Sequence, residues 1–192
     1  NGFIRPVRLD DAERVASIYN RYVSKTTITF ETEPVPVEVM RGRIDSISSA
    51  FPYFVYEYDG ELIGIARHLW KEREAYSKTL ETTVYLAPEA CHKGIGPLLM
   101  THMIDECRRQ GYHALIACIT ADNLSSLRFH QRLGFCQVSR FPKVGRKFGR
   151  WLDVIDLELI LWFSHKSIYS LFCARGGTIL PPRAQNIVLL RS

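Results

Sequence analysis

At 192 residues, 46% hydrophobic and 23% charged, the chain is long enough for one well-buried core and short for two. Its net charge of +5 invites a nucleic-acid reading, but residues 162–192 hold Lys166, Arg175, Arg183 and Arg191 and no acid. That leaves the first 161 residues near +1, without the basic face that phosphate-backbone binding needs. With no apolar run of the ~18 residues that span a membrane and no apolar leader at Asn1–Pro6, the expectation is a cytoplasmic protein with neither nucleic acid nor membrane as partner.

Phe3–Val7 reads as a first strand. Asp10 and Glu13 form a D-x-x-E capping box, after which Val15, Ile18, Tyr19 and Tyr22 recur at i, i+3, i+4, i+7, the spacing of an amphipathic helix. Pro34-Val35-Pro36 interrupts the chain, and Val37, Met40, Ile44 and Ile47 mark a second helix with Pro36 near its first turn. Asp59-Gly60 between the apolar runs Tyr53–Tyr58 and Leu62–Trp70 is a hairpin signal. Leu80–Leu86, rich in Thr, Val and Tyr, is a further strand. A loop at Pro88–Lys93 leads to a helix from about Ile95, with Leu98, Leu99, Met103 and Cys107 on one face and Gly111 just past its end. Ala114–Ile119 is a strand, and Asn123 caps a helix running to Leu133 and stopping at Gly134. Phe135–Phe141 and Trp151–Leu161 complete the pattern β-α-α-β-β-β-α-β-α-β-β, which belongs to a mixed α/β class (α+β) with one central sheet. Residues 162–192 keep neither helical nor strand period, with Gly176-Gly177 and Pro181-Pro182 breaking them, and read as an irregular or peripheral tail to a 1–161 domain. The five cysteines show no C-x-x-C pair and no His at ligand spacing, which argues against a disulfide framework and a zinc site, so no metal is expected.

Most of the chemistry is signalled between Glu81 and Leu99, where a strand, a loop containing Cys91-His92-Lys93-Gly94-Ile95-Gly96 and a helix start follow one another. Such a loop points backbone N–H groups from the positive end of a helix toward an anion such as a pyrophosphate. Glycines at 94 and 96 allow close approach, and Lys93 adds a cation. A glycine-softened tight turn is the plainer reading of G-x-G taken alone. The stretch resembles the Q/R-x-x-G-x-G/A motif of the GNAT superfamily, with Cys91 standing where that family has Arg or Gln. A second segment, Asn123-Leu124-Ser125-Ser126 on to Leu133-Gly134-Phe135, resembles the family's N-x-x-S-x-x-x-Y-x-x-x-G-F, with His130 in the Tyr place. Ile28–Pro34, Arg73–Tyr76 leading into Glu81–Tyr85, and Gly145–Asp153 are similar to the phosphinothricin acetyltransferase-like branch. The likeness runs in order over about residues 3–161.

The resemblance implies the GNAT fold, a single central mixed and mostly antiparallel sheet flanked by helices, and acetyl-coenzyme A as cofactor. Val84, Tyr85 and Leu86 would follow its pantetheine arm. His92, Lys93, Gly94, Ile95 and Gly96 would hold the pyrophosphate, with Asn123 and Ser126 also in contact. His130 would be the acid that protonates the departing thiolate, as histidine can near neutral pH; a half-buried helix histidine is the plainer alternative. Glu81 is the candidate base, directly or through water, at the start of the strand whose later amides polarise the thioester carbonyl. The implied acceptor is a small amino-acid-like amine of the phosphinothricin or methionine sulfoximine type. Arg73, Tyr76, Lys78, Lys147 and Arg150 are candidates to pair its acid group, with Phe30, Glu31 and Trp151 beside it, although each cation alone reads as a solvated surface charge. A homodimer is expected. Three alternatives stay open at this level: a non-catalytic acyl-coenzyme A-binding module, a protein-interaction domain, and a protein N-acetyltransferase.

Overall fold

The computed structural model describes residues 1–69 and 74–161, so the expected tail at 162–192 and Arg73 lie outside the described residues. The elements are β1 (Gly2–Pro6), α1 (Ala12–Lys25), α2 (Val37–Ser48), β2 (Tyr53–Tyr58), β3 (Glu61–Leu69), β4 (Thr79–Leu86), α3 (Ile95–Arg109), β5 (Ala114–Thr120), α4 (Leu124–Arg132), β6 (Cys136–Lys147) and β7 (Arg150–Ile160). The seven strands form one sheet in the order β1-β2-β3-β4-β5-β7-β6. Every pairing is antiparallel except β4 with β5.

Local chemistry explains most boundaries. Asp59 and Gly60 both hold positive φ, 48° and 84°, the two-residue turn that matches the twist of a hairpin. Phe148 and Gly149 (φ 49° and 73°) do the same between β6 and β7. Asn123 Oδ1 accepts the Ser126 N–H at 3.2 Å, capping α4. Gly111 and Gly134, at φ 74° and 93°, lead the chain out of α3 and α4.

Three sequence expectations are corrected. The expected Asp10–Glu13 box does not cap α1; a box forms instead on the 3₁₀ turn Leu9–Asp11 just before it, where Asp11 Oδ2 takes the Arg8 N–H at 2.7 Å while both its oxygens accept from the Arg5 guanidinium at 2.8 Å. Burial pushes the Asp11 carboxyl upward, and these donors outweigh it and hold it below the usual range. Leu98 is 51% exposed; Ile95, Leu99, Met100, Met103, Ile104 and Cys107 form the buried face of α3, one residue round from the expected stripe. β6 runs on to Lys147, since register shifts at Gln137/Ser139 and Phe141/Gly145 absorb residues that break its alternation.

The core lies on both sheet faces. Tyr19 and Tyr22 of α1 pack on Tyr85, and α2 adds Met40, Ile44 and Ile47 on that face. On the other face α3 meets Gly64 through Leu99 and Thr82 through Met100. One feature of the sheet positions the site. β4 and β5 pair only at Thr79↔Ala114, Leu80↔Leu115 and Glu81↔Ile116, after which the two strands separate.

Candidate active site

From Thr82 onward β4 has no strand partner on its β5 side, and a wedge-shaped cleft opens. Thr82–Tyr85 and Ala117–Ile119 form its walls, Asn123, Ser126 and His130 of α4 its far side, and Ile28 its rim. Backbone polar groups facing such an opening need partners, so the cleft suits an extended polar chain lying where a strand would lie. The Leu86 carbonyl is already taken by the Tyr22 hydroxyl at 2.6 Å, which fixes the end of β4 against α1.

The loop at the end of the cleft has the shape that the motif implied. His92 (φ 61°) and Gly94 (φ 78°) are left-handed, and Gly94 is the residue before α3. The first hydrogen bond of the helix runs from the Leu98 N–H to the Gly94 carbonyl at 3.2 Å. Among the described residues no protein acceptor takes the N–H groups of His92, Lys93, Gly94, Ile95 or Gly96, as expected for a helix start awaiting an anion. A Cβ on Gly94 would meet nothing within 4 Å, so glycine answers the backbone angle there. A Cβ on Gly96 would only touch Leu86 and Phe129 side chains at 3.6 Å; packing does not demand glycine, and its absent side chain keeps the helix start open. Cys91 is a half-buried free thiol whose Sγ lies 3.6 Å from the Ala87 carbonyl. It puts no cation at the loop. The donor set therefore fits the pyrophosphate of acetyl-coenzyme A through main chain.

His130 is 5% exposed, between the rings of Phe129 and Phe135. Its Nδ1 lies 2.9 Å from the Ser126 carbonyl, which can only accept, so the proton sits on Nδ1. Its buried Nε2 has no partner among the described residues. Burial lowers its pKa, opposed by the Ser126 bond. At neutral pH the ring is neutral, with Nε2 an acceptor, so it must first gain a proton there to serve as the acid that the resemblance implied.

Glu81 ends the β4–β5 pairing, at the root of the cleft. Burial raises its pKa; the Arg67 charge opposes the rise and Asp156 adds to it. Sheet register explains these neighbours. Arg67 pairs with Thr83, Thr83 and Glu81 share a face of β4, Glu81 pairs with Ile116, and Cys118, two residues on, with Asp156. Arg67, Glu81, Cys118 and Asp156 thus point to one side, that of α1 and α2. The Cys118 thiol is pushed up to about 12 by partial desolvation and by the neighbouring Glu81 and Asp156.

Of the cations expected around the acceptor, Arg73 lies outside the described residues and the others are engaged as follows. Lys147 is 3% exposed, and its Nζ donates to the Thr29 carbonyl at 2.6 Å, which makes it a pin for the loop after α1. Burial lowers its pKa, with Glu31 opposing. Arg150 is paired with Asp122 at 3.2 Å. Lys78 leans over the Tyr112 ring at 5.8 Å, beyond the end of α3. Tyr76 is exposed on a 3₁₀ turn at Glu74–Tyr76. Trp151 is 60% exposed, with the Arg146 guanidinium 5.8 Å from its ring centre. Glu31 pairs with Arg43 at 2.7 Å. Phe30 covers Gly145, where a Cβ would come within 2.1 Å of its ring. The loop residues thus form a strap tied to the β6–β7 hairpin. Sequence reasoning missed Arg43, on α2, and Arg67 and Asp156, whose only signal is the register of strands far apart in the chain.

A strand fork ending in a helix-start amide loop, with α1 and α2 across one face, is the architecture of an acyl-coenzyme A-dependent transferase. The chain belongs to the GNAT acetyltransferase family, whose acetyltransferase (GNAT) domain profile matches residues 4–155. It is 38% identical over 158 residues to a phosphinothricin N-acetyltransferase of Alcaligenes faecalis, covering 81% of this chain and 80% of that one. It is 35% identical over 160 residues to an L-amino acid N-acyltransferase of Escherichia coli, covering 82% and 93%. A GNAT superfamily phosphinothricin acetyltransferase from Sinorhizobium meliloti, solved in complex with acetyl-CoA, superposes with a TM-score of 0.81 at 31% identity, covering 83% of this chain and 88% of that one. The chain is accordingly an acetyl-coenzyme A-dependent N-acetyltransferase, which removes the non-catalytic module from the open readings. No helix among the described residues is long and apolar enough to cross a membrane.

Proposed function

We propose that the enzyme acetylates the amine of a small amino-acid-like acceptor by direct attack, with Glu81 as the proton acceptor. The observation that carries this reading is the position of Glu81 at the root of the cleft, its affinity for a proton already raised by burial. Acetyl-coenzyme A supplies an acyl group activated as a thioester. The amides of His92–Gly96 hold its anionic end, and Val84–Leu86, Asn123 and Ser126 orient the arm along the cleft. Glu81 takes a proton from the ammonium, the freed amine attacks the carbonyl, a C–N bond forms and the C–S bond breaks. After attack the nitrogen carries one proton more than the amide keeps; His130 Nε2 accepts that proton and delivers it to the departing thiolate. Phe30, Glu31 and Trp151 border the acceptor space; Lys147 holds the strap and Arg150 is paired with Asp122, while Arg73, Tyr76 and Lys78 are carried forward as candidates beside the acid group. The relatives' named acceptors support the substrate class.

Thiol release from acetyl-coenzyme A with a panel of amino-acid analogues, simple amines and peptides tests the reading. Turnover confined to amino-acid-like amines is expected, and turnover confined to peptides would reverse it.

The same reading includes a homodimer joined through β6 and β7. Among the described residues β6 is an edge strand, and Val138, Phe141, Val144, Phe148 and Trp151 along this hairpin are 46–60% exposed. Sedimentation at micromolar concentration is expected to give the dimer mass, and a monomer alone would remove it.

A further inference from the structure

Arg67 is half-buried, yet among the described residues its guanidinium makes no hydrogen bond or ion pair. It lines a cavity between α1, α2, β2 and β3 together with Tyr19, Tyr53 and Arg43. That cavity holds no more than about one water, so the anion would lie at its edge, where the five donors of the planar guanidinium fork, unpartnered among the described residues, match a carboxylate. Arg43 cannot fill that role unaided, because Glu31 holds it at 2.7 Å. The charge pattern on the sheet continues from there. Glu81 lies on the neighbouring strand, two residues along from the Thr83 that pairs with Arg67, and Asp156 follows one strand beyond Cys118. Asp156 Oδ2 accepts from the Ser139 hydroxyl at 2.8 Å, which fixes its carboxylate toward this face.

Neighbouring strands are about 4.8 Å apart. Arg67 and Glu81 stand diagonally across two such strands, about 7–8 Å apart, so the long arginine side chain can bring its fork to the short distance from the carboxylate that separates the acid group and the ammonium of an α-amino acid. We propose that the strip Arg67–Glu81–Asp156 reads the acceptor as a zwitterion: Arg67 binds its carboxylate or phosphinate, and Glu81 and Asp156 flank its ammonium. Arg67 is thus the specificity-determining cation, and Asp156 a second carboxylate that holds the amine in place while Glu81 takes the proton. The strip rests on the reading of the enzyme as an amino-acid N-acetyltransferase and names how that substrate class is chosen.

The experiment compares an accepted amino acid with its primary amide, which keeps the amine and loses the negative charge. Arg67→Met is expected to raise KM for the amino acid roughly 10- to 100-fold, the worth of a hydrogen-bonded charge pair, and to leave KM for the amide within about twofold. Arg67→Lys should recover part of the loss. Asp156→Asn should raise KM for both acceptors alike, with kcat falling less than in Glu81→Gln. Equal effects of Arg67→Met on the two acceptors would overturn the assignment, leaving Arg67 as an electrostatic neighbour of Glu81 only. Absence of turnover by the unaltered enzyme with any amino acid would instead overturn the substrate class. Circular dichroism and acetyl-coenzyme A binding of each variant separate both results from misfolding.

Discussion

The cleft between β4 and β5 is walled largely by main chain, whereas the sheet face beside it is defined by side chains from β3, β4 and β7. In the cleft, the end of strand pairing after Glu81 and the left-handed turn at Gly94 expose amides whose direction is fixed by the backbone. On the face, Arg67, Glu81 and Asp156 come from segments up to 89 residues apart and meet only because the strands take one register. A main-chain site tolerates change in most of its side chains and binds one constant ligand. A side-chain site changes its ligand when one residue changes. On the proposed reading the shared cofactor lies on the first and the choice of acceptor on the second.

The largest effect that would sharpen this contrast is at Glu81. Glu81→Gln keeps size and hydrogen bonding and removes the proton acceptor, so kcat should fall by about 10²–10⁴ at neutral pH with acetyl-coenzyme A affinity unchanged. Glu81 works ionised, so activity should drop as pH falls through its raised pKa, and that acid limb should vanish in the variant. The deficit should shrink as pH approaches the acceptor's own amine pKa. A raised KM with intact kcat, unrescued by pH, would make Glu81 a positioning carboxylate and move the search for a base to ordered water or His130.

Next comes Gly96→Asp, which sets a carboxylate among the free amides of the helix start. Roughly 10- to 100-fold weaker acetyl-coenzyme A binding is expected, the worth of charge-assisted hydrogen bonds lost and a repulsion gained. Calorimetry on the folded variant measures it. Unaltered affinity would take the loop out of the cofactor site and break the comparison at its main-chain half.

Smallest is Cys91→Arg, which adds the cation that the resemblance leads one to expect. If main-chain donors dominate, affinity should rise by no more than about fivefold, the range of an exposed ion pair. A gain of two orders of magnitude would show that side chains govern this end as well.

The same division explains what could be read from the sequence. Asp59-Gly60, Gly94, Gly111, Asn123 and Gly134 each declare a local backbone event, and the structure puts turns, a helix start, caps and exits there. The order of elements follows from them and from apolar period. Leu98 was mistaken for core because a one-residue rotation of an amphipathic stripe leaves the spacing nearly unaltered. The acceptor cations were sought among residues near each other in sequence, Arg73 to Lys78 and Lys147 to Arg150. Lys147 instead carries its charge under the strap to Thr29, and Arg67 lies within an apolar strand where a lone cation looks like a solvated edge. Only the strand register reveals it.

The short β4–β5 pairing has a further consequence for how the molecule comes apart. Three residue pairs join a four-stranded half, β1 to β4, to a three-stranded half, β5 to β7. These halves are natural units of partial opening, separable at lower cost than either is unravelled. A molecule lodged in the wedge touches both and acts as a splint across the seam. Amide exchange should therefore slow on acetyl-coenzyme A binding along the facing edges at Thr82–Tyr85 and Ala117–Ile119, far more than within the β1–β2 hairpin, so that the substrate completes the sheet it is consumed on.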